Sequence, residues 1–205
     1  MDQSAKKAIL MNQLILASAS HYRQQLLKQL GYAFTSIKPN LDESPNYQEE
    51  PENLVKRLSL SKANVIAKKH PSAFVIGSDQ VAVSNGKTIG KPLNFTSAKE
   101  QLTNFSGNNI EFLTGVSVIC INNNLCEYRL SKVEVKFRQL TEFEIIEYLN
   151  LDQPFDCAGS FKIEKNGIRL FESVKSDDPS SLQGLPLMTL NKILKNLVFN
   201  QTSSF

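Results

Sequence analysis

The chain has no tryptophan, only two histidines and only three cysteines among its 205 residues. No Cys-x-x-Cys pair exists, so the spacings that hold structural zinc are missing. Cys120, Cys126 and Cys157 are odd in number, which argues against a disulfide framework and for a reducing, cytoplasmic compartment. Glycine (9) and proline (8) are too sparse for collagen or a disordered linker. No apolar run approaches the ~20 residues that span a bilayer, and the opening segment is too short in apolar residues for a secretory signal, so no membrane partner is expected. Charge of one sign is lacking too: 23 Lys and Arg face 20 Asp and Glu, a formal +3. That is too mild for a dedicated nucleic-acid binder, but it leaves room for a local basic pocket that holds a small anion.

What is present is an ordinary globular composition, 41% hydrophobic and 21% charged. A chain of this length buries roughly 70% of its unfolded surface and stands without staples. Residues 1–12 read as a flexible polar extension, with Met11 as an alternative start, and residues 13–205 as one domain. The apolar run Leu14 to Ala17 reads as a strand buried on both faces. Ser20 caps a helix over 21–30 that Gly31 stops. A strand over 32–38, an acidic proline-bearing loop over 39–51 and a helix over 52–69 follow, with Pro51 in the helix's first turn. Phe74 to Gly77 is a strand. Asn85-Gly86 marks a hairpin between 81–83 and 88–89. A helix capped by Thr96 or Ser97 spans 96–105, and alternating strands cover 110–122 and 125–138. Thr141 and Glu144 form a capping box for a helix over 141–150, and a last helix covers 185–198. The class is α/β, with both parallel and antiparallel strand signals.

Three places pair a strand end with polar side chains. Ser18-Ala19-Ser20 opens a helix whose free N–H groups suit an anion, and Arg23, one turn in, can fork onto a phosphate. The same spacing fits an ordinary N-cap followed by a surface arginine. Asp79 directly follows the strand 74–77, at the carboxyl end where α/β sheets collect ligands. There it can hold Mg²⁺ or take a proton from water, or it can be a turn aspartate. In the segment 155–165, Ala158, Gly159 and Ser160 permit close backbone approach, while Lys162 and Glu164 share strand parity and so one face. Lys62 and Lys91, taken singly, read as surface lysines. His21 and His70 lie in helical contexts, which leaves no Ser-His-Asp triad, and there is no Walker A loop, G-x-G-x-x-G or H-E-x-x-H.

Taken in order, these residues resemble a family. LILASASHYRQQLL is similar to the opening L-A-S-x-S-P-R-R-x-x-L-L of the Maf nucleoside triphosphate pyrophosphatases. The similarity continues through Asp42-Glu43, Lys62-Ala63, Gly77-Ser78-Asp79-Gln80, Gly90-Lys91-Pro92, Thr114-Gly115, Phe137-Arg138, the run Cys157 to Lys162, and Gly184-Leu185-Pro186-Leu187, covering residues 11–198. The resemblance implies a bent mixed β-sheet flanked by helices, with two lobes and a nucleotide cleft between them, as in inosine triphosphatase-like proteins. It implies attack of water on the α-phosphorus of a nucleoside triphosphate, with a divalent cation (Mg²⁺, Mn²⁺ or Co²⁺) as cofactor and a homodimer as assembly. By position, Asp79 matches the catalytic aspartate, with Lys62 and Lys91 beside it, and Glu43 and Asp79 match the metal-side carboxylates. Ser18, Arg23 and Lys162 match positions around the triphosphate.

Tyr22, Gln80 and Glu164 stand where the family separates by base. They are similar to the aromatic, glutamine and glutamate of members that act on 7-methylguanosine triphosphate, with tyrosine in place of tryptophan. N7-methylation makes guanine cationic, and a cation over an aromatic face gains roughly 0.5–2 kcal/mol. A carboxylate accepts from the guanine N1–H and N2–H₂ edge. His21 departs from the family's proline, and Ile163 and Lys165-Asn166 are larger than the residues usual there. The expected activity is hydrolysis of 7-methylguanosine triphosphate to the monophosphate and pyrophosphate. The alternatives are a dTTP/UTP-type pyrophosphatase and a non-enzymatic regulator of septum formation.

Overall fold

Long strands with alternating side chains need partners on both edges, and here they find them in a single mixed sheet. The computed structural model describes residues 13–202, so the expectations for residues 1–12, including a start at Met11, lie outside the described residues. The order is β1 (Leu14–Leu16), α1 (His21–Lys28), β2 (Thr35–Ser36), α2 (Pro51–Ala67), β3 (Phe74–Ser84), β4 (Lys87–Ile89), α3 (Phe95–Phe105), β5 (Asn109–Cys120), β6 (Leu125–Phe137), α4 (Glu142–Asp152), β7 (Phe171–Ser176) and α5 (Leu187–Thr202). Short 3₁₀ turns, Gly167–Leu170 and Pro179–Gln183, flank β7. The sheet runs β2-β1-β3-β5-β6-β7, with β4 also on β3. Among the described residues no helix is long and apolar enough to cross a membrane.

β3 is the spine. β5 occupies one edge along most of its length, antiparallel. The other edge is shared: β1 pairs in parallel with residues 74–76, and β4 pairs antiparallel with residues 82–84. Among the described residues, residues 77–81 therefore have no strand partner on that edge. This notch is the structural origin of the site.

Alternation along β3 and β5 sorts the core into two lobes. On one face, Phe74, Ile76, Val116 and Val118 join Leu26 and Leu27 of α1 and Leu190 and Leu194 of α5. Further along the same face, Ala82, Ile110 and Phe112 join Leu102, Phe105, Phe137 and Phe161. Edge-to-face pairs such as Phe161–Phe171, with centroids 4.9 Å apart, fill the second lobe. Between the lobes this face is polar: Ser78, Gln80 and Thr114. The opposite face carries α2. Gly77 lets it close in, because a Cβ there would sit 2.1 Å from the Ser59 carbonyl oxygen.

Several sequence expectations shift by a few residues for local reasons. The helix expected over 21–30 ends at Lys28 and tightens through Leu30 N–H to Leu27 C=O (3.1 Å) before Gly31 at φ +72°. Asn94 caps α3, in place of Thr96 or Ser97, by accepting from Ser97 N–H at 2.9 Å. The strand expected over 32–38 shrinks to Thr35–Ser36, which among the described residues pairs only with β1. The strand expected over 74–77 and the one at 81–83 are a single strand, so Asp79 lies within β3 and not past its end. Asn85 (φ +50°) and Gly86 (φ +73°) form the hairpin turn, and the Thr141–Glu144 capping box starts α4. Residues 167–184, where no clear periodicity announces an element, form β7 and its two flanking turns.

Gly77→Ala is expected to destabilise the fold by about 3 kcal/mol, the upper end for overpacking. Gly86→Ala meets no atom within 4 Å and opposes only a left-handed φ, a cost of about 1 kcal/mol. Urea midpoints at unchanged slope would check both.

Candidate active site

The notch opens into a cavity of 540 Å³ bordered by Ser18, His21, Arg23, Lys38, Lys62 and Lys91, with the carboxylates Glu43 and Asp156. β1 ends at Leu16, and the chain turns away through Ser18 to Ser20, whose side chain caps α1 by accepting from Arg23 N–H at 3.4 Å. Ser18 Oγ accepts from Ser20 N–H at 3.1 Å. Free N–H groups of the first turn of α1 thus face a cavity already ringed by cations, a setting for a polyphosphate. Arg23 is half-buried, and its Nε donates to the Gly184 carbonyl at 2.8 Å, which leaves both Nη groups without a protein partner among the described residues. Burial pulls its pKa below the ordinary arginine value, against the charges of Asp79 and Glu43. Lys91 is exposed just beyond β4 and forms no ion pair among the described residues.

The floor is an ion-pair triad. Lys62, on α2, is only 5% exposed, and its Nζ donates to Asp79 Oδ1 at 2.6 Å and to Glu43 Oε2 at 2.7 Å. Asp79 is 6% exposed. Burying charges costs several kcal/mol per ion unless each is paired; here one ammonium serves two carboxylates. Asp79 Oδ2 and Glu43 Oε1 have no hydrogen-bond partner among the described residues. Glu43 is brought in by the loop before α2, which Glu49 shapes. The Glu49 carboxylate takes a two-pronged contact from Arg57 (2.7 Å each) and accepts from Asn46 N–H at 2.9 Å.

A smaller cavity of 120 Å³ adjoins the first, sharing Ser20, Tyr22, Arg23, Lys91 and Asp156 with it. Gln80, Glu164, Cys157 and Phe161 are among its other walls. Gln80 Nε2 donates to Ser181 C=O (2.7 Å), Thr114 Oγ1 (3.0 Å) and Leu182 C=O (3.3 Å). Carbonyls only accept, so this network fixes the amide orientation and leaves Oε1 as the free acceptor. With Glu164, the pocket presents acceptors to whatever enters it.

The structure brings Ser18, Tyr22, Arg23, Glu43, Lys62 and Lys91 to the larger cavity and Gln80 and Glu164 to the smaller one. Asp79 lies directly behind Lys62. Lys162 stands at the rim: its Nζ donates to the carbonyls of Asp152 (3.3 Å) and Gln153 (3.2 Å) and lies 6.0 Å from the Tyr22 ring centroid. The strand-parity argument for Lys162 and Glu164 does not hold, because residues 161–162 are irregular and residues 163–166 form a turn. What sets their direction is α4. Tyr148 Oη accepts from Lys162 N–H at 2.9 Å, and buried Asp152 accepts twice from Asn166 (2.8 and 3.0 Å).

Sequence reasoning gave no role to Lys38, Asp156, Ser78 or Ser181. Ser78 Oγ, fully buried, donates to the same Gly184 carbonyl that holds Arg23 (2.9 Å). Only the motif blocks around Ser78 and Gly184 hinted at them, since the contact spans 106 positions.

A mixed α/β sheet notched at one edge, with a cationic cavity over paired carboxylates, defines a protein that handles a phosphorylated small molecule. Residues 13–197 match the family model described as Maf-like protein, and the chain belongs to the Maf family. It is 45% identical to the 7-methyl-GTP pyrophosphatase of Idiomarina loihiensis over 89% of this chain and 93% of that one. It is 47% identical to the protein of the same name from Vibrio vulnificus, again over 89% and 93%. Its fold is similar to that of the Staphylococcus aureus Ham1 protein, at a TM-score of 0.53 and 14% identity, over 93% of this chain and all of that one.

The Arg57 contact and then Asn46 N–H draw the Glu49 carboxyl from an ordinary 4.5 down to about 2. A depressed folded pKa contributes stability that is present above the unfolded value and lost as pH falls through the folded one. The loop carrying Glu43 is therefore expected to loosen between pH 4.5 and about 2, and Glu49→Gln to loosen it at neutral pH. Hydrogen exchange of residues 42–49 would check both.

Proposed function

We propose that this protein hydrolyses 7-methylguanosine triphosphate to the monophosphate and pyrophosphate. The observation that carries the reading is the division of the cleft: a cationic cavity sized for a triphosphate opens into a pocket of hydrogen-bond acceptors beside an aromatic ring. The names of the relatives support the same activity.

A triphosphate carries about four negative charges, and phosphoryl transfer depends chiefly on positioning and charge stabilisation. Arg23 Nη, Lys91, Lys38 and the first turn of α1 bind the phosphates. Lys62, drawn to the arriving anion, eases its hold on Asp79, and the freed carboxylate takes a proton from water as that water bonds to the α-phosphorus. The α–β bridging P–O bond breaks, and pyrophosphate leaves with its electron pair. Lys162, tethered at the rim, closes on the phosphates from the other lobe. Hard oxygen donors on Glu43 and Asp79, each with one unpartnered oxygen, fit a divalent cation such as Mg²⁺, Mn²⁺ or Co²⁺. Bound there, the ion would supply charge neutralisation on the phosphates. At the base, Tyr22 stacks on the purine, and Gln80 Oε1 and Glu164 accept from its N1–H and N2–H₂ edge. The free cysteines Cys120, Cys126 and Cys157 support a reducing, cytoplasmic setting.

Purified protein with Mg²⁺ is expected to release pyrophosphate from 7-methylguanosine triphosphate with higher kcat/KM than from dTTP or UTP, and EDTA is expected to abolish turnover. Asp79→Asn should cost at least about 10²-fold in kcat. Glu164→Gln should lower guanine nucleotides while sparing dTTP and UTP. Equal turnover of all bases, or full activity of Asp79→Asn, would overturn the reading.

A further inference from the structure

The edge-reading groups leave one selection unexplained. Gln80 and Glu164 meet a hydrogen-bonding edge that guanine and 7-methylguanine share. What the methyl group adds is a positive charge on the ring, so the discriminating group must respond to charge. We propose that Asp156 is that group: a carboxylate at the junction of the two cavities that selects a cationic base over a neutral one. The proposal rests on the base-pocket reading above and names the residue that makes its substrate choice strict.

Asp156 borders both cavities, beside Tyr22. Its side chain is 67% exposed, so it does not serve the core. A carboxylate at that place opposes triphosphate binding, because it repels the phosphates, unless a cation stands between. In the free protein one does. Lys162 Nζ lies 3.5 Å from Asp156 Oδ1 and 6.0 Å from the Tyr22 ring centroid. The corner between ring and carboxylate is thus a place that receives a cation, and the ammonium in it is tethered to the backbone carbonyls of residues 152 and 153. A cationic base occupying the ring face meets Asp156 in its place and frees Lys162 for the phosphates. A neutral base leaves the carboxylate opposed only by a lysine that the phosphates also draw.

The test uses three substrates with the intact enzyme: 7-methylguanosine triphosphate, GTP, and the uncharged isostere 7-methyl-7-deazaguanosine triphosphate. Wild type is expected to favour the cationic substrate over the isostere by about fivefold or more in kcat/KM, the scale of one partly exposed charge pair. Asp156→Asn should bring that ratio close to one while leaving GTP unchanged or improved. Glu164→Gln should lower all three together and keep the ratio. If wild type turns over cation and isostere equally, the inference falls whatever the variant does. It also falls if Asp156→Asn loses activity on all three alike. If wild type hydrolyses none of the three, the base reading itself fails.

Discussion

The ammonium of Lys62, shared between Asp79 and Glu43, is the interaction on which the site depends. A lysine almost out of water is tolerated because its ammonium has two carboxylates within hydrogen-bond distance. That arrangement constrains the fold around it. α2 must lie hard against β3, which needs a residue without a side chain at 77. The loop before α2 must return over the helix, which the Glu49–Arg57 contact enforces. The edge of β3 must be bare where Asp79 sits, which follows from β1 ending and β4 beginning on either side. In the proposed mechanism, an arriving polyanion recruits this ammonium and so releases the Asp79 carboxylate.

A second constraint ties the two ends of the cleft together. The 3₁₀ turn Pro179–Gln183 and the glycine after it lie on the polar belt between the lobes. Ser181 C=O accepts from Gln80 and Thr114, and Gly184 C=O accepts from Ser78 and Arg23. One turn thereby positions both Gln80 in the smaller cavity and Arg23, which borders both. Ser131 Oγ, donating to Ser181 Oγ at 3.0 Å, anchors the turn to β6 as well. Polar side chains in the middle of a sheet face would be costly alone; among the described residues, no buried side-chain polar atom lacks a partner.

The pieces that sequence made legible are those governed by neighbours. Ser20 as an N-cap, the Thr141–Glu144 box and the Asn85-Gly86 turn depend on contacts a few residues apart, and hydrophobic period marks α2, β5 and β6. Less legible were the pieces decided by distant partners. Asp79 read as a strand-end residue because Ser78-Asp79-Gln80 interrupts the apolar run; β5 carries the strand through it, nine residues of β3 finding partners there. Lys162 and Glu164 read as strand neighbours, whereas α4 holds this non-strand segment through Tyr148, which accepts from Lys162 N–H, and Asp152, which accepts from Asn166.

By itself the sequence determined the chemistry in stock: an α/β chain, acceptor and carboxylate groups at 43, 79, 80 and 164, cations at 23, 62, 91 and 162, and an aromatic at 22. It also determined the family, because the order of those residues along the chain is a property of the chain alone. Tertiary structure decided which cation is buried and which exposed, which amide oxygen of Gln80 stays free, and that Asp156 borders both cavities. Those depend on the dielectric around each group and on contacts across up to 161 positions, and neither quantity is written in local pattern.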